Sequence, residues 1–171
     1  MNSDFRQTDV CIGLVSIGLE AYWKQFSGLK ERLIAFSTSI GDRLRRPNVE
    51  VIDAGLVDTP EKAIAAGKQF RRQDVDLIFL YVSTYALSST VLPIVRRAKA
   101  PVVVLNLAPG LAIDYASFNR LPDRNAMTAE WLSWCQACPL PEIANVFQRC
   151  HIPFFQVTGM LHDDHEAWTE I

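Results

Sequence analysis

The chain has 171 residues, 49% of them apolar and 21% charged, with a formal net charge of −2. That is enough chain for one domain with a full core, and its charges form no basic stripe or long like-charge run, which argues against a nucleic-acid partner. The longest apolar runs, at 77–82 and 101–105, fall far short of the roughly 20 residues a membrane helix needs, and residues 1–9 are polar with no apolar signal core, so neither a membrane span nor export is expected.

The cysteines are Cys11, Cys135, Cys138 and Cys150. Without an export signal, a disulfide framework is not expected in a chain of this size, and a reducing cytoplasm is the expected compartment. Cys11 lies inside an apolar run and reads as a buried thiol.

Residues 10–15 (VCIGLV) form a short continuous apolar run, as expected of a strand buried on both faces. Residues 20–46 show helical spacing, with Phe26, Leu29, Leu33, Phe36, Ile40 and Leu44 three or four apart, and Pro47 stops the helix. A second strand is expected at 49–54. Thr59 and Pro60 then cap and open a helix that runs to about Arg72. Residues 76–82 (DLIFLYV) are the most apolar run and are expected to form the central strand. Ser88 or Ser89 caps a short helix ending near Lys99, and 101–105 (PVVVL) is a fourth strand.

After Asn106 the rhythm changes. Residues 108–124 read as a long loop, 125–135 and 141–150 as helices, 154–157 as a fifth strand, and 161–171 as a last helix. Strands alternating with helices imply parallel pairing with right-handed crossovers. The expected fold is a flavodoxin-like, three-layer, doubly wound α/β domain with a mostly parallel five-stranded sheet in the order 2-1-3-4-5. The domain is expected to span 1–160, with 161–171 either a C-terminal helix or the start of a following domain.

In such sheets ligands bind outside the carboxyl ends of the strands. The rim is expected at 16–20, 53–58, 83–85 and 106–110, segments rich in hydroxyls and amides and without histidine. Glu20 is the carboxylate nearest the junction of the first and third strands; taken alone it reads more simply as a solvated residue favoured by a helix start. Gly13 and Gly18 do not make a phosphate-binding glycine turn, so nucleotide and flavin binding are disfavoured. The Cys135-Gln136-Ala137-Cys138 motif reads as the end of a helix before Pro139. In that position it is expected to bind no zinc and to form no bridge, since redox pairs of this kind open helices. The cluster from His162 to His165 reads as an exposed helix start, and Trp131 and Trp134 as packing anchors.

Four stretches together resemble the first domain of the L-arabinose isomerase and L-fucose isomerase superfamily: SIGLEAYW from Ser16 to Trp23, YVSTY from Tyr81 to Tyr85, PVVVLN from Pro101 to Asn106, and NAMTAEWLSWCQACPLPEIANVFQRC from Asn125 to Cys150. The last is followed by His151-Ile152-Pro153-Phe154 and Val157-Thr158-Gly159. The chain departs from the arabinose isomerases in offering Glu20 where they carry glutamine, Asn106-Leu107 where they carry histidine, and Pro139-Leu140-Pro141 where they carry a glycine pair. The resemblance implies the substrate-capping domain of an aldose–ketose isomerase. Manganese or another divalent metal would be held by later domains, with none in this chain. It further implies continuation of the chain beyond Ile171, assembly of the full-length protein as a homo-oligomer (trimer or hexamer), and a small-molecule sugar as ligand. Glu20, Tyr22, Ser83, Thr84 and Asn106 are the expected sugar contacts. A non-enzymatic sugar-binding or regulatory domain of the same fold is the alternative.

Overall fold

The structure, a computed structural model, describes residues 10–171. Five strands, β1 (Val10–Ile17), β2 (Val49–Val57), β3 (Leu77–Val82), β4 (Val102–Ala108) and β5 (Phe154–Met160), make one sheet in the order β2-β1-β3-β4-β5. All four neighbouring pairs are parallel. The chain is therefore a flavodoxin-like three-layer α/β domain. The core strands β1 and β3 are buried on both faces, which is why they read as continuous apolar runs rather than alternating ones.

Helices α2 (Pro60–Arg72), α3 (Ser88–Ala98) and α6 (Leu140–Arg149) cover one face. There Phe70, Ile94 and Phe147 pack on Val15, Leu80 and Val104. Helices α1 (Leu29–Leu44) and α7 (His165–Glu170) cover the other, with Ile40, Leu44 and Trp168 over Leu14, Tyr81 and Leu105. Arg43 stacks its guanidinium 3.8 Å from the Trp168 ring, fixing α7 against α1. A third cluster, Leu29, Leu33, Leu132 and Cys135, joins α1 to α5 (Arg124–Leu132) at the carboxyl edge of the sheet. No helix among the described residues is long and apolar enough to cross a membrane.

Several sequence expectations shift in detail. The helical stripe after β1 does not begin at Glu20: a single 3-10 turn occupies Glu20–Tyr22, and α1 opens only after Gly28, whose φ of 80° is the left-handed conformation glycine tolerates. Thr59 caps α2 as expected, accepting the Lys62 amide. Neither Ser88 nor Ser89 caps α3, because Leu87 holds that position. The Glu142 carboxylate instead accepts the Ser88 amide at 2.9 Å, a cap donated from α6. The stretch 108–124 contains a short helix, α4 (Tyr115–Phe118), capped by Asp114. The last helix starts at His165, capped by Asp164, rather than at Leu161. Cys11 is half-buried, not buried.

Candidate functional site at the carboxyl edge of the sheet

At the carboxyl edge the polar side chains of the sheet end are held in a network that reaches far along the chain. The Ser83 hydroxyl donates to the Ile17 carbonyl at 2.7 Å, tying the end of β3 to the end of β1. Thr84 donates to the Leu132 carbonyl at 2.7 Å, and the Gln136 amide donates to the Ser83 carbonyl at 3.1 Å and the Ser133 carbonyl at 2.6 Å. Ser83, Thr84, Ser133 and Gln136 are all buried. The turn after α5 is thus stitched down over the crevice between β1 and β3, the place where doubly wound sheets bind ligands. The Tyr81 hydroxyl lies beneath it, and burial pushes that phenol far above its ordinary value.

The expected sugar contacts therefore stand in different settings. Glu20 is exposed on the 3-10 turn after β1. Tyr22, two residues on, is half-buried, with the Trp23 and Phe26 rings edge-on at 6.5 and 5.8 Å. Burial, with Cys135, Tyr85 and Cys138 alongside, raises its phenol pKa. Asn106, near the end of β4, donates its amide to the Thr158 hydroxyl of β5 at 3.3 Å. Ser83 and Thr84 lie inside, their hydroxyls donated to backbone carbonyls. Glu20 and Tyr22 come together after β1; Asn106 stands two strands away across β3.

Sequence reasoning passed over two groups that build this rim. Asp58, at the end of β2, is buried and accepts the Trp23 indole N–H at 2.7 Å and the Lys62 ammonium at 2.5 Å. Burial opposes its ionisation, but these two donors outweigh it and hold the carboxyl below its ordinary range. The signal for it was legible: an aspartate at a strand end with lysine four residues on, where a first helical turn brings them together. Gln136 was the other, hidden because its partner at Ser83 is 53 residues away. On the outer flank, Tyr85 donates to Glu142 at 3.4 Å, and that carboxylate is the main reason the Tyr85 phenol is raised.

Beside the rim a cleft of about 310 Å³ opens between α1 and α5, lined by Gly28, Leu29, Ala126 and Ala129. Its wall is the Arg32–Glu130 ion pair, with Glu130 also accepting the Trp134 indole N–H at 3.1 Å. Both oxygens of Glu130 are engaged and Arg32 also reaches Ser133, so this pair fastens α5 to α1. Among the described residues the rim holds no nucleophile hydrogen-bonded to a base. Among the described residues no cluster of three or more His, Cys, Asp or Glu could hold a metal ion.

If Thr84 fastens the α5–α6 turn, Thr84→Val should keep the shape and lose the donor to Leu132. The expected cost is about 1 kcal/mol, because the Leu132 carbonyl loses one of its two donors and keeps only the Cys135 amide at 3.2 Å. Urea unfolding measures it; an unchanged midpoint would show that the turn is held by packing alone.

A scan against protein-family models and a search of curated proteins found no match to this chain.

Proposed function

We propose that this chain is the N-terminal substrate-capping domain of a metal-dependent aldose–ketose isomerase of the L-arabinose/L-fucose type. One observation supports the reading above the rest: each of the four stretches that carry the family resemblance reaches the carboxyl end of the sheet. The stretch from Ser16 to Trp23 follows β1, that from Tyr81 to Tyr85 ends β3, and that from Pro101 to Asn106 runs up β4. The fourth supplies the turn fastened to Thr84 and Ser83. A cap needs hydrogen-bonding groups and aromatic surface rather than a nucleophile, which matches this rim.

In this reading Glu20 accepts sugar hydroxyls and Tyr22 offers a half-buried ring edge and a phenol. Asn106 can contribute its amide, while Ser83 and Thr84 act through the turn they hold. The metal, manganese or another divalent ion, belongs to further domains, and no step of the reaction is assigned to this chain. The protein would work in the cytoplasm as a homo-oligomer. Each hydroxyl–carboxylate or hydroxyl–amide pair contributes on the order of 1 kcal/mol, less than the several kcal/mol that immobilising a sugar costs. The 171-residue chain by itself is expected to bind sugars too weakly for calorimetry.

The deciding measurement is steady-state kinetics of the full-length enzyme carrying Glu20→Ala. A several-fold change in KM or kcat for the true substrate, with metal content and fold intact, is expected. A merely solvated residue on the 3-10 turn after β1 would leave the kinetics alone. Unchanged kinetics would remove Glu20 from the site.

A further inference from the structure

The cysteine pair does not end a helix. Helix α5 stops at Leu132, and Cys135 and Cys138 share one turn before α6, closed by the Cys138 amide donating to the Cys135 carbonyl at 3.3 Å. The two side chains differ sharply. Cys138 is exposed, whereas Cys135 is 3% exposed within the apolar cluster of Leu29, Leu33 and Leu132. The Cys135 thiol donates to the Trp131 carbonyl at 3.5 Å, and the turn closed by the Cys138 amide places the two cysteines at its two ends. An exposed thiol that can meet a reagent therefore sits beside a shielded one that can reach only its neighbour.

We propose that Cys135 and Cys138 form a reversible two-electron thiol–disulfide site on the turn that closes the β1/β3 crevice, with small-molecule disulfides as its oxidant. This replaces the expectation of no bridge, which rested on placing the pair at a helix end. It does not depend on the sugar reading. In the first step the Cys138 sulfur, having given its proton to solvent, attacks one sulfur of the small disulfide. The reagent's S–S bond breaks, and one thiolate leaves with the electron pair and takes up a proton. In the second step Cys135 loses its proton to solvent and attacks the Cys138 sulfur. The mixed disulfide breaks and the second small thiolate leaves and is protonated. Two protein thiols are oxidised to one bridge, and one small disulfide is reduced to two thiols. A reducing thiol pool reverses both steps.

The packing sets the rate of the second step. Burial, and then the contact with Cys138, pushes the Cys135 thiol up to about 12. In the mixed disulfide the free Cys138 thiol is gone but burial still raises the Cys135 pKa, so its thiolate is scarce at neutral pH and the mixed disulfide should persist before the ring closes.

The test is to incubate the 171-residue chain with glutathione disulfide at pH 7 and pH 9, with native circular dichroism confirmed. Acid quenching, alkylation and peptide mass mapping then follow. A Cys135–Cys138 bridge is expected, preceded by glutathione on Cys138. Ring closure should be about 100-fold faster at pH 9, since the thiolate fraction rises tenfold per pH unit below the pKa. Cys138→Ser, at an exposed position that leaves the core untouched, should abolish the bridge, and Cys150→Ser should leave it unchanged. Glutathione remaining on Cys138 at both pH values, a dominant bridge to Cys150, or ring closure independent of pH would each overturn the proposal.

Discussion

Phe70→Ala is expected to destabilise the folded chain by about 3–5 kcal/mol, the range for removing a fully buried aromatic ring. Phe70 is 0% exposed on α2 and lies against β1 at Gly13, where a Cβ would come within 3.1 Å of the ring. Gly13 is thus the flat seat that lets the ring press on strand backbone. Truncation leaves a void walled partly by that backbone, which carries no side chain able to swing in. The neighbours Val15, Leu80 and Ile94 belong to the same packed layer and are themselves fully buried, so relaxation is restricted. Urea unfolding should show a lower midpoint with an unchanged slope. A loss below 1 kcal/mol would mean that the layer collapses around the gap.

Asp58→Ala should be the next largest, about 1.5–3 kcal/mol at pH 7, the range for hydrogen bonds to a charged group. Its side chain is 1% exposed and anchors the Trp23 indole, the residue that packs the turn after β1 onto α1. Lys62 is half-exposed and regains water when its partner goes, so most of the loss comes from the indole N–H and the packing behind it. The effect has a pH signature. The folded-state pKa of Asp58 lies below the ordinary 3.8, so its contribution is complete above that value and is lost as the pH falls beneath it. Wild type and variant should differ at pH 7 and converge in acid. A gap that stays constant into acid would show that size, and not charge, is what matters at this position.

The strand order was legible because the apolar runs of β1 and β3 alternate with helical stretches and because Thr59-Pro60 marks a helix start by local chemistry alone. The start of α1 was not, since the apolar stripe includes Phe26 and continues smoothly across the interruption made by the left-handed Gly28. The rim divides in the same way. Glu20 was recognised as a polar group at a strand end and is exposed there. Ser83 and Thr84 carry the same local signature, yet their partners lie 66 and 48 residues away. Nothing in the nearby sequence distinguishes a hydroxyl left for a ligand from one that fastens a distant turn. The cysteine pair was misplaced for a related reason: the stripe of α5 runs up to it, and only the backbone shows that the helix has ended.

The stitching of residues 132–136 to β3 also bears on motion. A surface turn usually opens by itself, exchanging its amide protons through local fluctuations that cost far less than global unfolding. This one is fastened by Thr84 to the end of the central strand, and by Gln136 to the residue that also clasps β1. For the turn to lift, the Thr84 and Gln136 hydrogen bonds to buried backbone at the end of β3 must break together. The segment is a loop between two helices, yet its amides are expected to exchange as slowly as those of the sheet end to which it is fastened.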